Sequence, residues 1–455
     1  ETDRRGSPVT ISNPPGLRLA YYADDFTGAT DALERLELAG VRTTLFLRPP
    51  SLDQIGSRPE VEAVGVAGAT RSLATADLPS EVLPALAALK NLGAPHVHYK
   101  VCSTFDSSPQ VGSIGRVIEL ADELFDTPFV PVVVGAPALG RWCVFGNLFA
   151  SMGIGAESPA YRLDRHPSMS QHPITPTDEA DLTRPLARQT SLPISLIDVR
   201  TLDKPLFEAV EGLRMQLRRE QPRIVLFDSL TDAHLAAISA LVSHYASGKK
   251  PVFWVGSSAV ESALAAHWQA EGEVYPRPNL DRFKPNGPVL VLAGSCSPVT
   301  AGQVNAALQA GVQGITLTNG QITTGADGLD HACQSMVVAL RASRSVILAT
   351  EPKTSGAILP PEALGRAFSQ LCLRAVEQAR PALVVIAGGD TSSHTARSLP
   401  IESLEFNEPL TPGAPVCRVV AAGSALDGLR VVFKGGQVGR PEFLVDLCLQ
   451  KEDAA

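Results

Sequence analysis

The chain lacks the usual signatures of a nucleotide site. No GxxxxGK[ST] loop occurs, and no GxGxxG is followed by an acidic residue, so neither a P-loop nor a Rossmann fingerprint is present. The protein-kinase motif set is missing as well. No apolar run reaches the ~18 residues that a membrane helix needs, and no membrane partner is expected. Seven cysteines are scattered with no CxxC, which points to reduced thiols and a cytoplasmic location rather than a disulfide framework or a zinc site. A net charge of -8 argues against a nucleic-acid partner. It leaves room for an anionic ligand, because helix N-termini and local cations can build a positive pocket on an acidic protein. The start, ETDRRGSPVTISNPPG, has no signal-peptide core and is expected to be a loose tail over residues 1–16.

What the sequence does contain is alternation. Apolar runs such as TTLFL from Thr43, VEAVGVAG from Val61, HVHYKV from His96, FVPVVVGA from Phe129, RIVLFD from Arg223 and PVFWVG from Pro251 are separated by amphipathic stretches. PVLVLAG from Pro288, SVILAT from Ser345, LVVIAG from Leu383 and LRVVFKGG from Leu429 continue the pattern. This predicts an α/β protein of two lobes, each a mostly parallel sheet flanked by helices. With 455 residues there is length for both. The Pro-rich, aperiodic EGEVYPRPNLDRFKPNGP divides them, giving domains at 17–270 and 289–455 with a linker at 271–288. Residues 162–193 read as a long irregular segment of the kind that often carries function.

Polar residues collect where strands end. YYADDFTGATDALE places Asp24 and Asp25 after the apolar run 19–23 and before a helical pattern that stops near Gly40, so the pair sits at a strand-to-helix corner, where open α/β sheets bind ligands. One carboxylate can cap the helix; a second invites another role, such as accepting from a polyol or taking its proton. HYKVCSTFDSSPQVGSIG ends a strand with Lys100 and Val101, then crowds Cys102, Ser103, Thr104 and Asp106 into a loop, with Pro109 placed to open the next helix. Lys100 at its root suits a hydroxy acid. Arg71, in GVAGATRS, lies past another strand end and could grip a carboxylate bidentately. His96 and His98 share a strand face, a spacing that metals use, though no Cys or carboxylate joins them and packing is the plainer reading.

The later corners are rich in glycine. VVIAGGDTSSHTAR ends a strand at Gly388 and Gly389, with Asp390 and Thr391 leading into a helix. VLAGSCSPVTAGQ repeats this with Gly294 and Ser295, WVGSSAVESAL with Ser257 and Ser258, and VVFKGGQVG sets Lys434 before Gly435 and Gly436. Glycines let a backbone approach phosphate, and helix starts add N–H donors. Residue chemistry alone leads to a polar acid pocket in the first lobe and phosphate binding in the second without naming the reaction; an NAD-dependent oxidoreductase on hydroxy acids and a non-enzymatic sensor of such acids are the rival readings to any transferase.

In order, YYADDFTGATDALE, Ala69-Thr70-Arg71, YKVCSTFDSSP, HPITPTDEADL, AGGDTSS and VVFKGGQVG resemble the four-carbon acid sugar kinase family from about Leu17 to Leu449. The resemblance implies a sugar-acid domain, then a nucleotide-binding domain, and transfer of the γ-phosphate of ATP to the terminal hydroxyl of erythronate, threonate, a 3-oxo-tetronate or a branched acid such as 3-oxo-isoapionate. Substrate would bind at Asp24, Asp25, Arg71 and Lys100 to Ser103, with Thr104 and Asp106 beside them. ATP would bind at Ser258, Gly388 to Thr391 and Gly435, with Ser257, Gly294, Ser295, Lys434 and Gly436 completing the set. Asp25 or Asp24 would serve the reacting hydroxyl, Lys434 would neutralise charge, and Asp390 would hold Mg²⁺. A homodimer is expected from the size class. GAPALGRWCVFGNLF, from Gly135, is more apolar than the family pattern leads one to expect, a departure that bears on substrate choice.

Overall fold

The computed structural model describes residues 16–152, 159–170, 176–246, 250–277, 280–294, 297–351 and 359–449, so the expected tail lies outside it apart from Gly16. Strands Leu19–Ala23, Ala63–Ala67, Val252–Gly256, Val289–Ala293 and Leu383–Ala387 are buried at every residue. Continuous apolar runs of this kind suit parallel sheets covered on both faces. In the first block, Thr43–Phe46, Ala63–Ala67, Leu19–Ala23, His96–Lys100, Val252–Gly256, Val130–Val133, Ile224–Phe227 and Ile194–Ile197 lie side by side and parallel. In the second, Arg430–Lys434, Leu383–Ala387, Val289–Ala293, Val346–Thr350 and Gln313–Leu317 do the same.

The two blocks are not separate sheets. A hairpin, Ser403–Thr411 and Ala414–Val420, pairs antiparallel with Thr43–Phe46 on one side and Arg430–Lys434 on the other, making one sheet of fifteen strands among the described residues. The hairpin covers the edge each block would otherwise expose, which an open parallel sheet must avoid. Its three antiparallel steps reverse strand direction, so the blocks run in opposite senses. Sequence reading missed this hairpin because Pro409 interrupts its alternation, and proline demotes a strand prediction. Ile194–Ile197 and Gln313–Leu317 were also unforeseen, as was a small antiparallel sheet of Arg141–Val144, Asn147–Ser151 and Ala160–Arg162.

Helix Phe26–Leu38 lies at the junction. It stops where expected: Gly40 adopts φ +95, and a Cβ there would meet the Tyr275 carbonyl of the linker at 1.9 Å. The linker is clipped to both blocks, with the Arg277 N–H donating to Leu38 O (3.0 Å) and the Phe283 N–H to Pro409 O (3.0 Å). The helix also carries buried acids toward the hairpin. Glu34 accepts from the Gly413 N–H at 2.7 Å, and Glu37 accepts from Thr43 N–H at 2.7 Å and pairs with Arg277.

Burial pushes the Glu34 carboxyl up to about 7, with only the Gly413 N–H and Arg35 opposing it. Its folded state therefore keeps a proton that the unfolded chain has already released. Stability falls as pH rises from about 4.5 to 7, by on the order of 3 kcal/mol, and is level above that. Glu34→Gln keeps an acceptor for Gly413 but has nothing to ionise. Denaturant unfolding is expected to show the variant more stable than wild type at pH 8, with the gap closing by pH 5; a pH-independent gap would contradict the assignment.

Candidate active site

Asp24 and Asp25 close strand Leu19–Ala23, and Arg71 answers both. Its Nε and Nη2 donate to Asp24 Oδ2 (3.2 Å) and Oδ1 (2.8 Å), while Nη1 lies 2.8 Å from Asp25 Oδ2. A short 3₁₀ turn, Thr70–Ser72, brings the arginine there, anchored by the Arg71 N–H on Asp24 O at 3.1 Å. Asp25 is also the helix N-cap, accepting from Gly28 N–H at 2.7 Å, and Thr27 Oγ1 donates to its Oδ2 at 2.7 Å. Burial raises the Asp24 pKa against the pull of Arg71, with Asp25 adding to the rise. The Arg71 fork expected for a substrate carboxylate is thus turned onto the two acids, because a buried carboxylate pair needs a cation more than a surface ligand does.

Lys100 is likewise committed. It is buried beneath Gly28, 3.5 Å from Asp31 Oδ2, and donates to Val101 O at 3.2 Å. Burial would lower its pKa, but Asp31, Glu261, Asp24 and Asp25 together hold it above the ordinary value. A Cβ at residue 28 would stand 2.6 Å from Asp25 Oδ1 and 3.1 Å from Lys100 Nζ, so glycine lets the helix start sit close over both side chains. Val101 is buried backbone, its N–H donating to Gly256 O at 2.7 Å. Cys102 and Thr104 touch, Sγ to Oγ1 at 2.9 Å, and burial pushes the thiol up to about 11, so it is no nucleophile. Ser103 is half-buried beside them. Phe105 takes φ 57, turning the loop so that Asp106 is buried with Oδ1 lacking a hydrogen-bond partner. The next helix starts at Ile114 with Ser113 as its cap, not at Pro109, because Ser108 Oγ ties up the Gln110 and Val111 N–H groups in a turn. The Ser113 side chain, accepting from Arg116 N–H, is the stronger start signal.

The glycine corners of the second block converge. Ser297 and Thr300 hydroxyls donate to Gly436 O at 2.7 and 2.8 Å, Lys434 Nζ donates to Thr300 Oγ1 and Gly435 O at 3.0 Å each, and Gly388 N–H donates to Lys434 O at 2.8 Å. A Cβ on Gly294 would come within 2.7 Å of Thr391 Oγ1. Desolvation pulls the Lys434 pKa down to about 7. Asp390 is exposed in the first turn of helix Gly389–Ser398. Ser295 lies outside the described residues. Thr300 escaped sequence reading, its only signal being its place in the first turn of a helix behind Ser297.

Ser257 and Ser258, grouped with ATP from sequence, follow the first-block strand Val252–Gly256, whose Gly256 pairs with Lys100. Ser257 is spent on the turn, donating to Val134 O and accepting from Ala259 N–H. Ser258 Oγ is buried with no partner. His98 is a packing residue, bound to Glu261 at 2.7 Å and Gly256 O, and among the described residues no group of three metal-ligating side chains occurs.

The decisive contact joins the blocks. A Cβ on Gly389 would lie 3.5 Å from Asp25 Oδ2 and 4.0 Å from Thr27 Oγ1, and one on Gly435 would lie 3.9 Å from Thr27 Oγ1. The Phe26 N–H donates to Ser393 Oγ, and the Phe26 and Phe433 rings sit 4.5 Å apart. Acid corner and glycine corners therefore face each other. Family models agree with this division: one described as "Sugar-binding N-terminal domain" matches residues 19–264, and one described as "Nucleotide-binding C-terminal domain" matches 290–444.

The chain belongs to the four-carbon acid sugar kinase family.

It is 40% identical to a 3-oxo-isoapionate kinase of Paraburkholderia graminis, over 94% of each chain. A 3-oxo-tetronate kinase of Pseudomonas fluorescens is 29% identical over 96% of this chain and 97% of its own. Among solved structures, a Salmonella typhimurium LT2 protein shares the fold with TM-score 0.73 and 25% identity, covering 94% of this chain and 98% of its own. A Haemophilus influenzae protein shares it at TM-score 0.66 and 23% identity, covering 93% and 98%. This member of the family is a carbohydrate kinase, and the oxidoreductase and sensor alternatives fall away.

In this kinase, removing Arg71 leaves two buried carboxylates uncompensated. Arg71→Met is expected to lower the unfolding free energy by about 3–5 kcal/mol. Urea titration checks this, and Asp24→Asn in the same chain should restore part of the loss. An effect under about 1 kcal/mol, the range of an exposed pair, would refute the role given to the fork.

Proposed function

We propose that the kinase phosphorylates the terminal hydroxyl of a 3-oxo sugar acid, of the tetronate or branched isoapionate type, using Mg-ATP. The observation that carries this is the approach of Asp25 to the Gly389 corner, where a Cβ would lie 3.5 Å from its Oδ2, which puts a carboxylate beside the start of a helix whose N–H groups suit phosphate. The acceptor hydroxyl lies against Asp25. Its oxygen attacks the γ-phosphorus, the bond to the β–γ bridging oxygen breaks, ADP leaves with the electron pair, and the hydroxyl proton passes to Asp25. Thr27 and Arg71 hold that carboxylate in line. Asp24, whose two oxygens each accept from Arg71, is assigned as a positioning residue.

Lys434 and the backbone of Gly388, Gly389, Gly435 and Gly436 receive the phosphates. A buried lysine with no carboxylate partner among the described residues is suited to an anion that arrives with its own charge. The donor set also fits magnesium. Asp390 is exposed at the same corner, and an ion carried in on phosphate oxygens uses few protein carboxylates. Asp390 would hold it, and the ion's chemistry there is charge neutralisation on the transferring group. Closure of the blocks over Asp25 excludes water that would otherwise accept the phosphoryl group.

The test is ADP release by purified protein with Mg-ATP across erythronate, threonate, their 3-oxo forms and branched 3-oxo acids. Turnover is expected with a 3-oxo acid and is expected to fall by about 10³-fold in kcat for Asp25→Asn, with little change in the KM for ATP. Full activity in that variant would remove Asp25 from the reaction, and no turnover with any acid would refute the substrate class.

A further inference from the structure

Both cations that sequence reading assigned to the substrate carboxylate are occupied, Arg71 by Asp24 and Asp25 and Lys100 by Asp31. Another arginine, Arg141 of the small sheet, is in the opposite situation. Its Nη1 donates to three carbonyl oxygens, Leu139 (3.2 Å), Gly140 (3.0 Å) and Ser151 (3.2 Å), which fixes the plane of the guanidinium. Its Nε is buried with no hydrogen-bond partner, and among the described residues no carboxylate lies within ion-pairing distance of it. The Nε–Nη2 edge, which Arg71 presents to Asp24, is thus without a protein acceptor here.

The surroundings say what it awaits. Cys102 and Asp106 are near enough to act on the Arg141 charge, and Cys102 in turn feels Asp106, Arg71 and Asp25. Cys102 is therefore near both the reacting corner and Arg141. Asp106 contributes a second unsatisfied atom on that side, a buried carboxylate oxygen without a donor. An orphan donor edge and an orphan acceptor call for a ligand with a carboxylate and a hydroxyl, because buried polar atoms left unpaired cost free energy.

The hairpin bearing Arg141 is built into place. Asp228, at the end of strand Ile224–Phe227, accepts from the Phe145 and Gly146 N–H groups at 2.6 and 2.9 Å. Gly135 allows the approach, since a Cβ there would meet Cys143 N at 2.7 Å and Ser229 Oγ at 2.4 Å. These are the residues of the unusually apolar segment GAPALGRWCVFG.

We propose that Arg141 binds the carboxylate of the sugar acid through its Nε–Nη2 edge, with Asp106 on a hydroxyl, and so selects the acid. This rests on the kinase reading above. The substrate then reaches from Arg141, at its carboxylate, to Asp25, at its terminal hydroxyl.

The experiment compares wild type, Arg141→Gln and Arg141→Lys with Mg-ATP on erythronate, threonate and their 3-oxo forms, each as acid and as the uncharged amide. Wild type is expected to favour the acid by about 100-fold in kcat/KM. Arg141→Gln is expected to lose that preference, through the KM of the acid, while the KM for ATP moves by less than about threefold. Arg141→Lys, which keeps donors for the three carbonyls, should fall between them and guards against a folding failure in the glutamine variant. An unchanged acid-to-amide ratio in both variants would overturn the proposal while leaving the kinase reading intact. If wild type phosphorylates none of these acids, calorimetric titration of the same acids decides: binding lost in Arg141→Gln upholds the arginine's role and sinks the substrate class proposed above, and no binding to wild type sinks both.

Discussion

Two adjacent carboxylates cannot stay charged in a buried corner without a cation, and the rest of the site is arranged around the one that serves them. Arg71 reaches Asp24 and Asp25 from a 3₁₀ turn one strand away, using three nitrogens. Its carbonyl is in turn crowded by Gly112, where a Cβ would come within 2.3 Å, so the loop after Asp106 closes over the same turn. The strand end, the arginine turn and the hydroxyl-rich loop are therefore one unit. Desolvating this cluster has a cost that hydrogen bonds repay only when the geometry is met.

The second constraint is directional. The antiparallel hairpin Ser403–Val420 reverses strand direction between the two parallel blocks and covers one edge of each. Glycine then sets the separation. At Gly389 a Cβ would stand 3.5 Å from Asp25 Oδ2, in the space that the proposed mechanism gives to the phosphoryl group.

Much of this was legible beforehand. Buried parallel strands announce themselves as apolar runs, and polar residues at their ends stand out against them, so Asp24, Asp25, Arg71, Lys100, Gly388, Gly389 and Lys434 were visible without coordinates. Partnership was not. One-dimensional sequence does not show Asp24 facing residue 71 or Asp31 facing residue 100, so the internal partners of Arg71 and Lys100 were not read from it. Nor does it show that Ser257 and Ser258 follow a first-block strand whose Gly256 pairs with Lys100. Arg141 was hidden for a different reason. Its segment has no strand-end signature, and it reaches the pocket only through a hairpin whose position depends on Asp228, more than eighty residues away in sequence.

The central claim is that the reaction takes place between Asp25 and the Gly389 corner. A crystal structure with a non-hydrolysable ATP analogue, magnesium and a sugar acid tests it most directly. The account predicts the terminal hydroxyl hydrogen-bonded to Asp25 and the γ-phosphate against the start of helix Gly389–Ser398. A γ-phosphate held elsewhere, with Asp25 still turned only to Arg71 and Thr27, would contradict it.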